Sequence, residues 1–588
     1  MRHGHGARLQ PDGSARFSLW APDAQQVELT RDGQPNLPMQ AESDGWFTAH
    51  VSNAAGLEYR YLVDNKLNIP DPASRWQPAS VNGPSCVVDP HAYRWRTAGW
   101  LGRPWHESIL YEVHVGTLGG FTGVQRQLAR LADMGITAIE LMPLNEVPGQ
   151  RNWGYDGVLP FAPQSSYGTP EQLRQLIDHA HSLGLMVFVD VVYNHFGPEG
   201  NYLGQYASEF FRADIHTPWG PAIDFRRQPV RDFFAENALM WLQDYRVDGL
   251  RLDAVHAIGE QAFLIDLARR IRDAIAPERH VHLVLENEHN NAELLAQGYT
   301  AQWNDDGHNT LHALLTGERE SYYADFAEDT TGKLARCLQD GFVYQGEANR
   351  HGVPRGQPSR ELQPTSFVLF LQNHDQIGNR ALGERLIHLV DQRALKAATA
   401  LLLLCPMVPL LFMGEEWGCE QPFQFFTDYH DKLGQAVRKG RRNEFSEFSA
   451  FADPAVRAHI PDPNAAATFN ASIPDLQALN EPPHQAWADY YGQLLQLRHQ
   501  WIIPRLQGSR AVAARVLADK AVTAAWQMGD GSQLRIDLNL SGEAVATTAQ
   551  EKHAKLIFSY AHGLENETVP AEQQLPPLSV FVSLALPS

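Results

Sequence analysis

The stretch that most clearly indicates the fold is Gly249-Leu250-Arg251-Leu252-Asp253-Ala254-Val255-His256, a short apolar strand that leads into a carboxylate. Side chains two residues apart on a strand project to the same face, so the Arg251 guanidinium is predicted to lie beside the Asp253 carboxylate. A neighbouring positive charge holds a carboxylate ionised near neutral pH, as a nucleophile requires. An Arg-x-Asp pair is common, however, and by itself it also fits a buried ion pair.

Two further apolar runs lead into acids in the same way. Leu283–Glu288 ends with Glu286 and Glu288, and Phe367–Asp375 ends with Asp375. Three apolar strands that end in acids indicate a single site to which several strands contribute.

Apolar runs alternate with amphipathic helical stretches from about Ile109 onward. The runs are Ile109–Val115, Ala138–Pro143, Met186–Val192, Gly249–Ala254, Leu283–Glu288, Ala301–Asn304, Phe367–Gln372 and Pro409–Met413. The helical stretches include Gln125–Met134, Pro170–Leu183, Val230–Tyr245 and Gln261–Ile275. Such alternation predicts parallel strands covered by helices, and eight units favour an α/β fold of the (β/α)8 TIM-barrel type over an open doubly wound sheet. No GxGxxG follows a strand, so a dinucleotide-binding fold is disfavoured.

Barrel enzymes carry their chemistry at the C-terminal ends of the strands. The candidate residues at or just after such ends are Asp190, Asn194, His195, Asp253, Glu286, His374 and Asp375. Asp190 is interpreted as structural, either as a partner of Arg251 or as a cap for neighbouring backbone. Asn194 is interpreted as a residue that orients the site, and His256 as support for the next loop.

Short strands with turn residues between them flank the barrel on both sides. We predict an N-terminal β-sandwich over residues 1–95, a catalytic barrel over 96–484 with an inserted lobe at about 194–227, and a C-terminal antiparallel β domain over 485–588. The polar stretch Gly346–Pro364 is predicted to be a long loop.

The bulk composition restricts the class of protein. The formal net charge of −20 over 588 residues argues against nucleic acid or an anionic membrane as the partner. The four cysteines form no CxxC pair and predict reduced thiols in a cytoplasmic protein, without a zinc site. The N-terminus lacks an apolar signal core, and the longest apolar run, Leu401–Met413, is too short to span a bilayer.

Paired carboxylates suit glycosyl transfer through an oxocarbenium-like transition state. Asp253 would attack the anomeric carbon, and Glu286 would protonate the departing oxygen and then activate water. Glu286 must therefore be protonated near neutral pH, which requires desolvation and neighbouring carboxylates such as Asp375. Neutral His195 and His374 are suited to hydrogen bonds with sugar hydroxyls.

Together these strings resemble the four short conserved regions of the α-amylase superfamily, glycoside hydrolase family 13. The matching segments are Asp190–His195, Gly249–His256, Glu286 in its strand, and Asn373-His374-Asp375. The resemblance implies a retaining mechanism with Asp253 as nucleophile, Glu286 as acid/base and Asp375 as transition-state stabiliser. It also implies that the sandwich is of the immunoglobulin-like, carbohydrate-binding-module type. The expected substrate-binding residues are His195, Arg251, His374, Tyr155, Trp153, Asp305, Asp306, Gln376 and Arg380.

Longer strings resemble one group within this superfamily. They are Tyr111–Thr117, Tyr193–Leu203, Ala301–Asp306 and Gln372–Arg380. The resemblance implies hydrolysis of the α-1,4 bond next to the terminal trehalose unit of maltooligosyltrehalose, with maltooligosyltrehalose synthase as the pathway partner. The mechanism requires no cofactor, and the acids between Phe196 and Arg227 are too loosely spaced for a calcium site, so no metal is predicted. A monomer is expected. The alternatives are a branching enzyme, a glucanotransferase, an α-glucosidase, or a non-catalytic glucan-binding protein on the same barrel.

Overall fold

The computed structural model describes residues 4–217, 220–547, 553–561 and 574–587 and arranges them in three successive regions. The first is a β-sandwich, the second a closed parallel barrel with surrounding helices, and the third an antiparallel β-sheet. This architecture is the one that the sequence predicts. In the described part of the chain, no helix combines the length and the apolarity needed to cross a bilayer.

Nine short strands form the N-terminal sandwich. They are β1 (Gly6–Leu9), β2 (Ala15–Trp20), β3 (Val27–Thr30), β4 (Leu37–Pro38), β5 (Gln40–Ala41), β6 (Trp46–Val51), β7 (Glu58–Val63), β8 (Leu67–Ile69) and β9 (Ser85–Cys86). One sheet has the order β1-β2-β6-β5, and the other has the order β4-β3-β7-β8 with β9 paired to β7. Phe17 and Tyr59, one from each sheet, meet edge to face with their ring centroids 4.8 Å apart in the buried layer.

The central region contains strands β10 to β23, eight of which close the barrel. Their bounds are β10 (Leu110–Val113), β11 (Ala138–Leu141), β12 (Asn145–Glu146), β13 (Leu159–Pro163), β14 (Met186–Val191), β15 (Phe211–Thr217), β16 (Gly220–Ile223), β17 (Gly249–Leu252), β18 (His282–Leu285), β19 (Ala301–Trp303), β20 (Gln345–Ala348), β21 (Pro354–Gly356), β22 (Phe367–Phe370) and β23 (Val408–Phe412). The barrel order is β10-β11-β14-β17-β18-β19-β22-β23, and each barrel strand begins within one residue of its predicted run.

Apolar side chains fill the interior of the barrel below its C-terminal end. Leu110, Ala138, Met186 and Phe188 belong to this layer. β17 begins with Gly249. A Cβ atom at this position would lie 2.1 Å from the Phe188 ring, so a residue with a side chain would not fit there. The absence of a side chain at this position lets β17 start directly against the packed layer.

Helices cover the barrel and connect its strands. They are α1 (Gly120–Met134), α2 (Pro170–Ser182), α3 (Gln228–Leu239), α4 (Gln261–Ala274), α5 (Ala292–Leu295), α6 (Asp305–Thr316), α7 (Thr330–Asp340), α8 (His374–Gly378), α9 (Leu386–Leu389), α10 (Gln392–Leu404), α11 (Asp431–Glu444), α12 (Pro454–Arg457), α13 (Ala466–Ala471) and α14 (Pro482–Leu497). The start of α2 is typical, with a Thr169–Gln172 capping box and Pro170 in the first turn.

Two predicted elements differ in detail. The helix predicted over Val230–Tyr245 is α-helical only as far as Leu239 and continues as a π-helical turn, Met240–Asp244. One turn is too short for the apolar period to distinguish an α-helix from a π-helix.

The loop predicted over Gly346–Pro364 contains most of the antiparallel hairpin β20–β21. β20 is largely exposed and β21 is partly buried, and neither strand shows the apolar alternation that predicts a strand.

The C-terminal sheet follows α14. Its strands are β24 (Arg510–Ala518), β25 (Ala521–Gln527), β26 (Gln533–Asn539), β27 (Val545–Ala546), β28 (Lys555–Tyr560), β29 (Gln574–Leu575) and β30 (Ser579–Ala585). Five of them pair antiparallel in the order β24-β25-β26-β30-β28, as the sequence predicts. The sheet packs on the barrel through α7 and α10.

Candidate active site

Arg251 and Asp253 lie together at the C-terminal end of β17. Arg251 Nη1 donates to Asp253 Oδ1 at 2.7 Å and to Asp190 Oδ2 at 2.8 Å. The guanidinium also lies over the Trp303 ring, 4.1 Å from its centroid. The predicted pairing of Asp190 with Arg251 is therefore confirmed. Two carboxylates and an aromatic face hold the buried arginine in one orientation.

The surroundings of Asp253 favour its ionised form. Asn194 Nδ2 donates to the second carboxylate oxygen, Oδ2, at 2.9 Å. Burial acts to raise the pKa of Asp253, but the charge of Arg251, the nearby His195 and the hydrogen bond from Asn194 outweigh it. The pKa of Asp253 therefore lies below its ordinary value, so this side chain is a carboxylate at neutral pH.

His195 lies beside this pair as a neutral ring. Its Nε2 is 2.9 Å from the Tyr155 carbonyl oxygen, and its Nδ1 contacts the Asn194 side-chain oxygen. Burial lowers the pKa of His195 below its ordinary value. The ring therefore acts as a hydrogen-bonding group at neutral pH.

Glu286 follows β18 directly, and its backbone N–H donates to the carbonyl of Leu252 at the end of β17. The Glu286 carboxyl accepts a hydrogen bond from the backbone N–H of Ala254. Ala254 adopts a left-handed conformation, with φ 41° and ψ 47°, which residues other than glycine seldom adopt. The strained turn after the Asp253 strand thus fixes the position of the second carboxyl group.

The charge environment favours the protonated form of Glu286. Burial raises the pKa of Glu286 well above its ordinary value, and the negative charges of Asp253, Asp305 and Asp375 add to this effect. Arg251 opposes it, with Nη2 3.7 Å from Glu286 Oε2. Two carboxyl groups with opposite pKa shifts therefore follow neighbouring strands, which is the arrangement needed for an acid beside a nucleophile.

His374 is held by a carboxylate from inside the barrel. Glu112 on β10 accepts from the backbone N–H of His374 at 2.9 Å, and its other oxygen contacts ring Nδ1. Burial acts to lower the pKa of His374, but Glu112 outweighs it and the pKa is raised. Tyr155 stacks on the ring with centroids 5.0 Å apart and donates its hydroxyl hydrogen to Asp190 at 2.6 Å. Tyr155 therefore connects His374 to the Arg251 ion pair.

Asp305 and Asp375 follow two further barrel strands, β19 and β22. Asp375 is exposed in the first turn of α8, where Asn379 Nδ2 donates to its Oδ1 at 2.5 Å. Asp305 is the first residue of α6, and burial together with the charge of Asp375 raises the pKa of Asp305 to about 7. The mouth therefore carries four carboxyl groups, and the charges of three of them, Asp253, Asp305 and Asp375, act on the fourth, Glu286.

Asp306 faces away from the mouth, unlike its neighbour Asp305. Its buried carboxylate accepts from the backbone N–H groups of Val343 and Tyr344 and from Arg355 at 2.7 Å. It therefore holds the hairpin β20–β21 and the segment before it against α6. Substrate contact by Asp306 stays a prediction.

The remaining predicted substrate-binding residues have protein partners of their own. Trp153 is buried, packs in parallel on Phe423 and donates from Nε1 to the Gln424 carbonyl at 3.0 Å. Arg380 makes a two-pronged contact with Glu318, with both distances 2.9 Å. Gln376 is half-buried in α8. Their roles in substrate binding also stay predictions.

Sequence reasoning did not identify Glu112 and Trp303 as parts of the site. Glu112 carried a signal, because a charged residue inside an apolar strand must find a buried partner. Trp303 gave none, since a tryptophan at the end of an apolar run is most often core. Among the described residues, no group of three or more His, Cys, Asp or Glu side chains is arranged to hold a metal ion.

Three family models match the chain in the order of its structural regions. Carbohydrate-binding module 48 matches residues 5–82, the catalytic domain of alpha amylase matches 97–238, and a domain of unknown function, DUF3459, matches 509–582. The barrel, its carboxyl groups and these matches define a glycoside hydrolase of the α-amylase type.

Relatives identify the group within that class. Malto-oligosyltrehalose trehalohydrolases from Saccharolobus solfataricus and Deinococcus radiodurans are 39% and 40% identical to the chain, each over 84% of its length, and the matches cover 87% and 83% of those proteins. The chain therefore belongs to the malto-oligosyltrehalose trehalohydrolase family. A branching enzyme from Pseudoalteromonas atlantica is 32% identical over only 42% of the chain.

Solved structures share the fold of the chain. A crystal structure of a Salmonella typhimurium protein assigned as an alpha amylase superposes with a TM-score of 0.92 at 40% identity and covers all of both chains. A pullulanase from Anoxybacillus sp. LM18-11, complexed with maltotetraose, shares the fold with a TM-score of 0.73 at 17% identity, covering 99% of this chain and 87% of that one.

Proposed function

We propose that this glycoside hydrolase cleaves the α-1,4-glucosidic bond next to the terminal trehalose of maltooligosyltrehalose and releases trehalose. The observation that carries the chemistry is the opposite pKa shift of Asp253 and Glu286 at the ends of neighbouring strands. The proposal that the substrate ends in trehalose is supported by the relatives that match most of the chain, which are malto-oligosyltrehalose trehalohydrolases.

In the first step, the Asp253 carboxylate attacks the anomeric carbon of the sugar next to trehalose. The bond from that carbon to the glycosidic oxygen breaks, and Glu286 gives its proton to the oxygen. Trehalose leaves, and the maltooligosyl part is joined to Asp253 as an ester. The low pKa of Asp253 and the raised pKa of Glu286 supply the required protonation states before substrate binds.

In the second step, the Glu286 carboxylate takes a proton from water, and the oxygen of that water attacks the anomeric carbon. The bond to Asp253 breaks, which restores both carboxyl groups and releases a maltooligosaccharide with the α configuration at its new reducing end. Two inversions at the same carbon give overall retention.

The remaining groups hold the reacting sugar. Asp375 lies exposed in the mouth and offers a carboxylate to ring hydroxyls and to the positive charge that develops in the transition state. His374 lies next to Asp375 with ring Nδ1 held by Glu112, which leaves Nε2 for a sugar hydroxyl. His195 contacts Asn194, which donates to Asp253, and Arg251 orients Asp253. We assign Tyr155 to the same sugar-contacting surface because it stacks on His374.

The substrate requires an enzyme that converts the reducing end of a maltooligosaccharide to trehalose, so we propose maltooligosyltrehalose synthase as the pathway partner. The four buried free cysteines support a reducing compartment such as the cytoplasm. The domain limits proposed above, 1–95, 96–484 and 485–588, divide the chain into a sandwich, the catalytic barrel and a C-terminal sheet.

Product analysis on two substrates of equal length tests the proposal. Wild-type protein should release trehalose from maltotriosyltrehalose and act far more slowly on maltopentaose. Asp253→Asn should abolish release, while Asp12→Asn, on the exposed surface of the sandwich, should leave it unchanged. Equal cleavage of both substrates, or formation of new α-1,6 linkages, would exclude the proposal in favour of another α-glucan enzyme.

A further inference from the structure

A second carboxyl group, that of Glu140, lies inside the barrel below the reacting residues. Glu140 on β11 is paired in register with Glu112 on β10 and with Phe188 on β14. Ala138, two residues earlier on β11, belongs to the interior layer, so Glu140 faces inward as well. It is 1% exposed. No step of the proposed mechanism uses it.

The two strands beside β11 carry acidic residues that hold side chains of the active site in position. On one side, Glu112 of β10 binds His374. On the other side, Asp190 of β14 is paired in register with Arg251 of β17, which binds Asp253. Glu140 therefore lies between the support of His374 and the support of Asp253.

Several buried polar atoms in this region have no hydrogen-bond partner among the described residues. They include Oε1 and Oε2 of Glu140, Oδ1 of Asp190, Nε of Arg251 and Nε1 of Trp303, whose ring lies against the Arg251 guanidinium. Buried polar groups in folded proteins nearly always find partners, either directly or through ordered water. Two N–H donors and three carboxyl oxygens in a shared interior therefore indicate a network that includes Glu140.

The charges around Glu140 decide its protonation state. Glu112 accepts two hydrogen bonds from His374, one from its backbone N–H and one from ring Nδ1. Burial raises the pKa of Glu140 well above its ordinary value, with the negative charges of Glu112 and Asp190 adding and that of Arg251 opposing. Glu140 is therefore a neutral acid at neutral pH, with one O–H donor and one free carbonyl acceptor.

We propose that Glu140 is a positioning residue for the nucleophile, whose carboxyl group donates to Asp190 Oδ1 and accepts from Arg251 Nε across internal water. These water-mediated bonds from below fix the Asp190–Arg251 pair, and the pair in turn orients Asp253. The inference rests on the proposed role of Asp253 as nucleophile.

Two substitutions separate this role from simple packing. Glu140→Gln keeps the shape, the neutrality, one donor and one acceptor, so kcat should stay within about threefold of wild type. Glu140→Leu removes the donor and the acceptor, and a loosely held nucleophile should lower kcat about 10- to 100-fold while KM stays within about twofold. Both are measured as trehalose release from maltotriosyltrehalose, with melting temperatures recorded for each protein.

An infrared difference spectrum of wild type minus E140Q at neutral pH gives a second readout that needs no substrate. It should show the carbonyl band of a protonated carboxylic acid, because the other buried acids cancel. An unchanged kcat in E140L, an E140Q variant as slow as E140L, or the absence of the band would each overturn the proposal. If E140L does not fold, E140Q and the infrared band still decide. Wild-type protein that releases no trehalose would instead contradict the proposed function and leave the infrared test intact.

Discussion

Arg251 Nη1 lies 2.7 Å from Asp253 Oδ1, and the same nitrogen reaches Asp190 at 2.8 Å. Its Nη2 lies 3.7 Å from Glu286 Oε2, and the planar face of the guanidinium lies over the Trp303 ring. One planar cation therefore contacts the proposed nucleophile, approaches the proposed acid and is anchored by a third carboxylate. A lysine ammonium could not reproduce these contacts at once.

Arg251→Lys should lower kcat/KM by about 100-fold or more, because a transition-state contact is lost and Asp253 is no longer held. The pKa of Asp253 should also rise when its main positive neighbour moves away. Its carboxylate would then be protonated at higher pH, so the acid limb of the kcat/KM profile should move upward. Arg94→Lys, at an exposed position, is the matched control. An acid limb that stays in place would contradict the assignment.

Asp305→Asn tests the source of the raised pKa of Glu286. Asp305 adds negative charge near Glu286, so its removal should lower the pKa of that acid. Glu286 would then lose its proton at lower pH, and the alkaline limb of the activity profile should move toward acid. The profile of kcat/KM against pH measures this directly, and a shift toward alkali would show that another group sets the limb.

Much of the fold and part of the site follow from the sequence. The barrel strands are buried on both faces, so they stand out as continuous apolar runs, and the acids that follow them fall at one end of the barrel. The sequence does not distinguish the roles of the neighbours Asp305 and Asp306. Only the start of α6 directs Asp305 toward the mouth of the barrel and Asp306 toward the buried segment at Val343. Glu112 and Glu140 become neighbours only when β10 and β11 pair in register.

Ala254 tests whether the strained turn positions Glu286. Ala254→Gly should keep the free energy of unfolding or raise it by up to about 1 kcal/mol, because glycine adopts the left-handed conformation without steric cost. Ala254→Val should lower it by about 1–2 kcal/mol and reduce kcat, since a β-branched residue resists this conformation. Denaturant unfolding and initial rates measure both effects. Equal stability of the two variants would show that the turn carries no strain.

The most direct test of the whole account is a time-resolved proton NMR spectrum of maltotriosyltrehalose with wild-type protein. We expect the trehalose signal to grow together with that of the α-anomer of the new reducing end, and the β-anomer to follow only by mutarotation. A β-anomer that forms first would contradict Asp253 as nucleophile, and a spectrum without trehalose would contradict the proposed reaction.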